Sequence, residues 1–311
     1  MSLHRRFALV LAVQLVLVVV AWWPSGSSGA RGPAIDVDRD AIERIEIALR
    51  PVGEAEPEPA VLVKGDDGWT VASAANYPAT ESKVEEMLDK LLGLHTGMPI
   101  TTSPTSHDAL KVGDETYGRR IVIATADDSH EWLVGAATSR SVNLRRVGED
   151  EVYRASGSGE WSFRDSSSSY FDTTYVDADP AAFSAVSVRN DAGELSFEKV
   201  DGVWRLTDTG EDEQSDAAKI ESFLQSVARL RMSEPVGTEV TPEHGLDDGP
   251  RIDWTVASED QSEFGGYAVG AEVEGDRFVK AVGRPFVVRA RRSDLRRLLE
   301  ASRSEFLLGE G

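Results

Sequence analysis

Residues 64–94 read KGDDGWTVASAANYPATESKVEEMLDKLLGL, and the same order of residue types returns, altered, between Lys199 and Leu230. Lys64 and Trp69 map onto Lys199 and Trp204 at an offset of 135 (204 minus 69), and Val84, Met87, Leu88, Leu91 and Leu94 map onto Ile220, Phe223, Leu224, Val227 and Leu230 at 136. In each copy a glycine-containing turn separates two short apolar stretches: Gly65 to Gly68 in the first, Asp201-Gly202 in the second. That pattern predicts a β-hairpin, because glycine supplies the positive φ that a tight reversal needs. Trp69 reads as a core anchor at the hairpin base. The apolar residues that follow fall on one face of an amphipathic helix, with Thr80 and Asp216 at the N-cap positions.

The register continues outward from this unit. Pro99 and Leu110 match Pro235 and Leu246 at 136, while Val134-Gly135, Val147-Gly148, Val152 and Arg154 match Val269-Gly270, Val282-Gly283, Val287 and Arg289 at 135. Ile45, Ile47 and Leu49 alternate as a half-buried strand, as do Val186 and Val188. Ile121 to Thr125, Trp132 to Val134, Val142 to Leu144 and Val152 to Arg154 read as further short strands between turns. Pro99 is expected to stop the first helix, and Ser293 to Leu308 to form a last one, with Leu295, Leu298 and Leu299 opposite Arg296, Arg297 and Arg303. The expected fold is α+β: two tandem related modules, 43–180 and 181–308, each an antiparallel sheet of short strands and hairpins carrying one amphipathic helix.

Ahead of the modules, His4, Arg5 and Arg6 precede an apolar run from Phe7 to Trp23, 17 residues long, which as a helix would span about 25 Å. Basic residues before the run place the N-terminus in the cytoplasm and the bulk outside, with Trp22 and Trp23 at the interface. Residues 1–24 are therefore expected to be a membrane anchor, or alternatively a signal segment cut near Ala30 to release a secreted chain. Residues 25–42, which open with Ser and Gly, are expected to be a flexible linker.

The sequence carries 54 acidic and 33 basic residues among 311, a formal charge of −21. Such a charge repels phosphate backbones, so nucleic acid is not an expected partner. Whether it reflects habitat or a basic partner stays open. Cysteine is absent, which excludes disulfides, thiol nucleophiles and a lipoprotein cysteine.

The hairpin elements Asp67-Gly68-Trp69 and Asp201-Gly202-Val203-Trp204, the helices SKVEEMLDKLLGL and AKIESFLQSVARL, the Val-Gly strands, and the elements Val152 to Ala155 and Phe163 to Asp165 together resemble the family known as domain of unknown function 4340, in two tandem copies. The second copy departs from the pattern at Phe278-Val279-Lys280 and Val287-Val288-Arg289-Ala290. The resemblance implies an envelope protein anchored by one N-terminal helix, in a family linked with ABC-type transport systems and with auxiliary proteins of gliding-motility transporters. It implies no catalytic residues.

No enzyme motif is complete. His130-Glu131 begins a zinc-protease signature, but Val134 stands where the second histidine belongs. His95, His107 and His244 lack ligand spacing and are expected at the surface. Asp36, Asp38 and Asp40 open like a calcium loop, yet Ala41 and Ile47 occupy its glycine and glutamate positions. Glu211-Asp212-Glu213 reads as a solvated charge run. No catalytic, cofactor-binding or metal residue is expected, and no cofactor. The expected function is that of a non-enzymatic accessory or scaffold protein, partnered by membrane or envelope proteins such as ABC transporter subunits. The alternative is an extracytoplasmic binding module for a glycan or peptide in a groove between the modules, with Trp161 and Trp254 as exposed aromatics. Differences between the copies, in the Pro-Glu loop after Arg50 and in the Arg-rich last helix, are where function is expected.

Overall fold

The computed structural model describes residues 32–50, 57–210, 212–256 and 263–308. The apolar run Phe7 to Trp23, the cut near Ala30, most of the Pro-Glu loop and Glu211 lie outside the described residues. Among those residues, no helix is long and apolar enough to cross a membrane. The architecture is mostly antiparallel sheet, with three α-helices among the described residues.

In chain order the elements begin with β1 (Gly32–Pro33), β2 (Arg44–Leu49), β3 (Ala60–Gly65), β4 (Gly68–Val71), β5 (Tyr77–Pro78) and helix α1 (Glu81–Leu92). They continue with β6 (His95–Thr96), β7 (Arg119–Ala124), β8 (Ser129–Thr138), β9 (Ser141–Arg146), β10 (Val152–Ser156) and β11 (Thr174–Asp177). Then come β12 (Phe183–Asn190), β13 (Gly193–Val200), β14 (Val203–Leu206), α2 (Ala217–Val227), β15 (Arg229–Arg231) and β16 (Glu234–Gly237). The chain ends with β17 (Arg251–Val256), β18 (Glu263–Val273), β19 (Asp276–Ala281), β20 (Val287–Arg291) and α3 (Arg292–Glu300).

The described residues divide into two compact units, one drawn from 32–58 and 85–165, the other from 59–84 and 166–308. Within the first unit the strands run β1-β6-β10-β9-β8-β7-β2, every neighbour antiparallel. Ile45 and Ile47 pair with Ile123 and Ile121, and Ile121 with Trp132. All five are buried, so one face of the sheet is apolar, as period-two alternation requires. Helix α1 opens on the Thr80 carbonyl, which accepts from Lys83 N at 2.9 Å, and its predicted face of Val84, Met87, Leu88 and Leu91 is buried. The helix stops at Leu92 rather than at Pro99. Gly93 closes its last turn on the Asp89 carbonyl at 2.9 Å, and the backbone then extends so that His95 pairs with Pro33. On the opposite sheet face, Val112, Leu133 and Val152 form a small core joined by Leu110 and Tyr117. The expected linker is also shorter than 25–42: Ile35 and Ile42 are buried, and two apolar anchors in a polar segment suffice to tie residues 32–42 into the fold.

In the second unit the sheet runs β14-β13-β12-β17-β18-β19-β20-β16, with β11 and β15 forming a separate pair. Both predicted hairpin turns are present, Gly68 at φ +109° and Asp201-Gly202 at +52° and +80°. Trp69 and Trp204 are buried at their bases. Helix α2 begins where Asp216 Oδ1 accepts from Lys219 N at 3.1 Å. Its Phe223 meets Phe197 of β13 and Phe306, with ring centroids 5.9 and 5.2 Å away. Each such buried ring contributes roughly 1.5–3 kcal/mol.

Contacts group residues 59–84 with 166–311, whereas the sequence expectation placed them in a module ending at 180. The cause is visible in four links: Thr80 N donates to Tyr170 O at 2.7 Å, Lys83 Nζ donates to Phe171 O at 2.7 Å, Ser73 and Ser167 share a hydroxyl bond of 2.8 Å, and Tyr77 meets Phe286 edge-on at 4.7 Å. The last helix is shorter than expected. Asn190 Nδ2 donates to the carbonyls of Leu298 and Ala301, both at 2.8 Å, and Ala301 turns extended (ψ 127°). Arg303 to Phe306 form a separate 3-10 turn.

Candidate functional site

Antiparallel pairing sets Trp132 opposite Arg146 and Leu144 opposite Tyr153. Because side chains alternate along a strand, His130 shares the face of Trp132. These five, from β8, β9 and β10, line a cleft of about 310 Å³ in the first unit, closed on one side by Pro33, Ala34, Asp36 and Thr96. Trp132 and Leu144 are buried and form its floor.

Arg146 organises the polar wall. Its Nη2 donates to His130 Nδ1 at 2.6 Å, which assigns the imidazole proton to Nε2. Its Nη1 lies 3.4 Å from Glu149 Oε1. His130 stands edge-on to Trp132, with ring centroids 5.7 Å apart. Asp36 adds a second carboxylate to the lining, and Thr96 and Tyr153 add hydroxyls. The cleft thus offers fixed donors and acceptors over an apolar floor, a composition suited to holding a small polar molecule.

The second unit carries an open trough of about 590 Å³ over Ala185, Ser187, Ser196 and Thr207. Two of its charged residues pair with each other, Arg251 Nε lying 2.9 and 2.7 Å from the Asp253 carboxylate oxygens. Phe264 at its edge is 74% exposed.

Several sequence candidates are resolved differently. Glu131 lies on the sheet face opposite His130 and takes Arg120 at 2.6 and 3.0 Å. Among the described residues no group of three potential ligands is placed to hold a metal. His95 is exposed as expected, bonded to Gly93 O at 2.7 Å. His107 and His244, expected at the surface, are buried. Each has a backbone duty: His107 Nε2 bonds Asp150 O at 3.0 Å, and His244 Nδ1 accepts from Thr241 N at 3.1 Å. Asp38 caps a 3-10 turn by accepting from Asp40 N at 3.1 Å.

The acidic run near Glu213 is not simply solvated. Arg303 Nη1 donates to Glu213 Oε1 at 2.7 Å, and Gly210 N donates to its other oxygen at 2.7 Å. Those bonds, the arginine first, hold the Glu213 carboxyl down at about 2. Of the basic face expected of the last helix, Arg297 lies 3.4 Å from Glu305 and Arg303 is the partner of Glu213.

Trp161 is 77% exposed and lies over Arg119, 5.4 Å from the guanidinium carbon. Trp254 is only 8% exposed and stacks on Phe183 at 5.1 Å, so it is a packed residue and not the exposed aromatic expected, although it forms part of the trough's lining. Arg119 belongs to no sequence motif. Its buried guanidinium reaches Phe163 O at 3.1 Å, Glu160 at 3.2 Å and Asp165 at 3.3 Å. The signal was its phase, two residues before Ile121 and hence pointing inward with it. Arg146 and Tyr153 were legible in the same way, through their alternation with Leu144 and Ala155.

A protein-family model described as "Domain of unknown function (DUF4340)" matches residues 69–249, more than half of the chain. No curated protein matches the chain, and no solved structure does.

Proposed function

Since the chain belongs to the family described as domain of unknown function 4340, we propose that it is a membrane-anchored, extracytoplasmic accessory or scaffold protein of an ABC-type transport or envelope complex, which works by binding and not by catalysis. The chain is read as two tandem related modules behind an N-terminal anchor, with Phe7 to Trp23 in the membrane and the bulk outside.

The observation that carries this reading is the recurrence of one construction. In each half a hairpin with a buried tryptophan, Trp69 or Trp204, leads to a helix whose apolar face is buried. In each half, too, a loop backbone rests on the glycine of a Val-Gly strand, at Gly135 and at Gly270. What recurs is framework, and two similar frameworks on one tether suit the presentation of surfaces to partners. Arg119 with Glu160, Arg120 with Glu131 and Arg303 with Glu213 are pairs that fix loops and strands.

Affinity purification of the full chain from detergent-solubilised membranes of its native host tests the proposal. Recovery in the membrane fraction together with ATPase and permease subunits is the expected result. A solitary chain, or one found wholly in the released fraction, overturns it.

A second reading, a binding module for an extracytoplasmic ligand, is favoured by one observation, the cleft over Trp132 and Leu144. It is compatible with the first, since an accessory protein can carry a ligand site.

A further inference from the structure

We infer that the cleft of the first unit is a binding site for a neutral saccharide, a single sugar or the end of a short glycan. The inference rests on the reading of the chain as a binder and adds a ligand class to it.

Size sets the first bound. About 310 Å³ is at the lower end of small-molecule pockets, roughly 300–1,000 Å³. The charge of the lining sets the second. One guanidinium, Arg146, faces two carboxylates, Asp36 and Glu149, in a chain of formal charge −21. Neither the lining nor the surrounding field favours an anion.

The pairing of Arg146 then separates sugars from zwitterions such as peptide ends. Glu149 stands 3.4 Å from the guanidinium, longer than a well-formed charge-assisted bond of about 2.7–2.9 Å. An incoming carboxylate can only accept, so it would have to approach beside Glu149 and repel it. A hydroxyl both donates and accepts. It can accept a hydrogen bond from Arg146 and donate one to Glu149 or Asp36 without displacing either. His130, Tyr153 and Thr96 add further hydrogen-bonding side chains to the lining, while Leu144, Pro33 and Trp132 add apolar surface for its C–H faces. The donors stand on paired strands, and His130 already orients Arg146 at 2.6 Å, so little ordering remains to be done on binding.

The full chain, purified in mild detergent, is titrated calorimetrically with maltose, cellobiose and chitobiose, with diglycine as the zwitterionic control. Saturation-transfer NMR reports which ligand protons touch the protein. Saturable binding of at least one disaccharide is expected, weakened about tenfold in Arg146→Gln and in Tyr153→Phe and unchanged in Arg229→Gln of the second unit. Tyr153→Phe removes one hydroxyl from a half-buried ring, so it keeps the test valid should Arg146→Gln unfold. Failure of all three disaccharides to bind, equal binding in both cleft variants, or binding of diglycine in their place overturns the inference. Hydrolysis of a bound disaccharide would uphold the site while sinking the non-catalytic reading. A purification that recovers no transporter subunits would sink only the assignment of partners.

Discussion

Gly135 lies directly beneath Leu110. A methyl group on Gly135 would stand 2.4 Å from the Leu110 carbonyl oxygen and 2.6 Å from that of Lys111, and one on Gly270 would stand 1.9 Å from the His244 carbonyl oxygen. The obstacles are backbone, which cannot rotate aside as a side chain can. Gly135→Ala and Gly270→Ala are therefore each expected to destabilise the chain by about 1–3 kcal/mol, the usual cost of forcing extra volume into a packed site. Urea unfolding midpoints measure this directly. Midpoints equal to that of the parent chain in both variants would show that the two loops do not rest on these glycines.

The Glu213 and Arg303 pair predicts a dependence on pH. Held at about 2 in the folded chain against an ordinary 4.5, Glu213 binds its proton more weakly folded than unfolded. The stability it contributes is therefore fully present above about 4.5 and is lost as pH falls toward about 2. Glu213→Gln should lower the melting temperature at pH 7 and have progressively less effect below pH 4.5, as the parent side chain becomes protonated. A difference between the two proteins that stays constant from pH 7 to pH 2.5 would contradict the pairing. Arg303 also donates to Asp208 O at 2.6 Å, so Arg303→Ala should cost more than Glu213→Gln at neutral pH.

Arg119 is a buried cation, its side chain 6% exposed, with Glu160 at 11% beside it. Arg119→Met leaves that carboxylate buried and unpaired, an arrangement that costs about 3–5 kcal/mol. Adding Glu160→Gln should recover part of the loss, because the pair is then removed together. Chemical denaturation of the single and double variants forms the cycle, and strict additivity would argue that the two residues do not interact.

The two tryptophans once equivalent in the sequence should behave oppositely. Trp254→Ala opens a hole beside Phe183 and Tyr267, whose ring centroids lie 5.1 and 6.3 Å away, for an expected loss of about 3–5 kcal/mol. Trp161→Ala removes an exposed ring over Arg119 and should cost about 1 kcal/mol or less. Thermal melts would separate them, and similar losses would mean that Trp161 is held more tightly than its exposure indicates.

The elements that were legible in the sequence are those fixed by local chemistry. The turns at Gly68 and Asp201-Gly202 need positive φ, Asp216 is a capping residue, and the helical faces of Val84 and Ile220 repeat at the helical period. Each signal lies within a few residues of its effect. Elements decided across the fold were not legible in the same way. The end of the first helix depends on where His95 must pair, and the end of the last on Asn190, more than a hundred residues upstream of the carbonyls it binds. The burial of His107 and His244 follows from backbone partners that spacing does not reveal. The cleft lay between these cases: the alternation that places Trp132, Leu144, Arg146 and Tyr153 on one face is in the sequence, but that residues 33–36 close over them is a fact of pairing between β1 and β6.

Tyr77 and Phe286 touch across 209 residues of chain (286 minus 77). At about 5–20 residues per second of synthesis, the early hairpin would wait roughly ten to forty seconds for the strand end that completes its surroundings. The strands of residues 85–165 wait less, their widest pairing, Ala124 with Arg44, spanning 80 residues (124 minus 44). The unit that contains this hairpin, residues 59–84 and 166–308, is thus the one that closes last, and a chain released before Phe286 carries a hairpin whose Tyr77 still lacks that ring. Sensitivity to premature termination is written into the order in which the pieces appear.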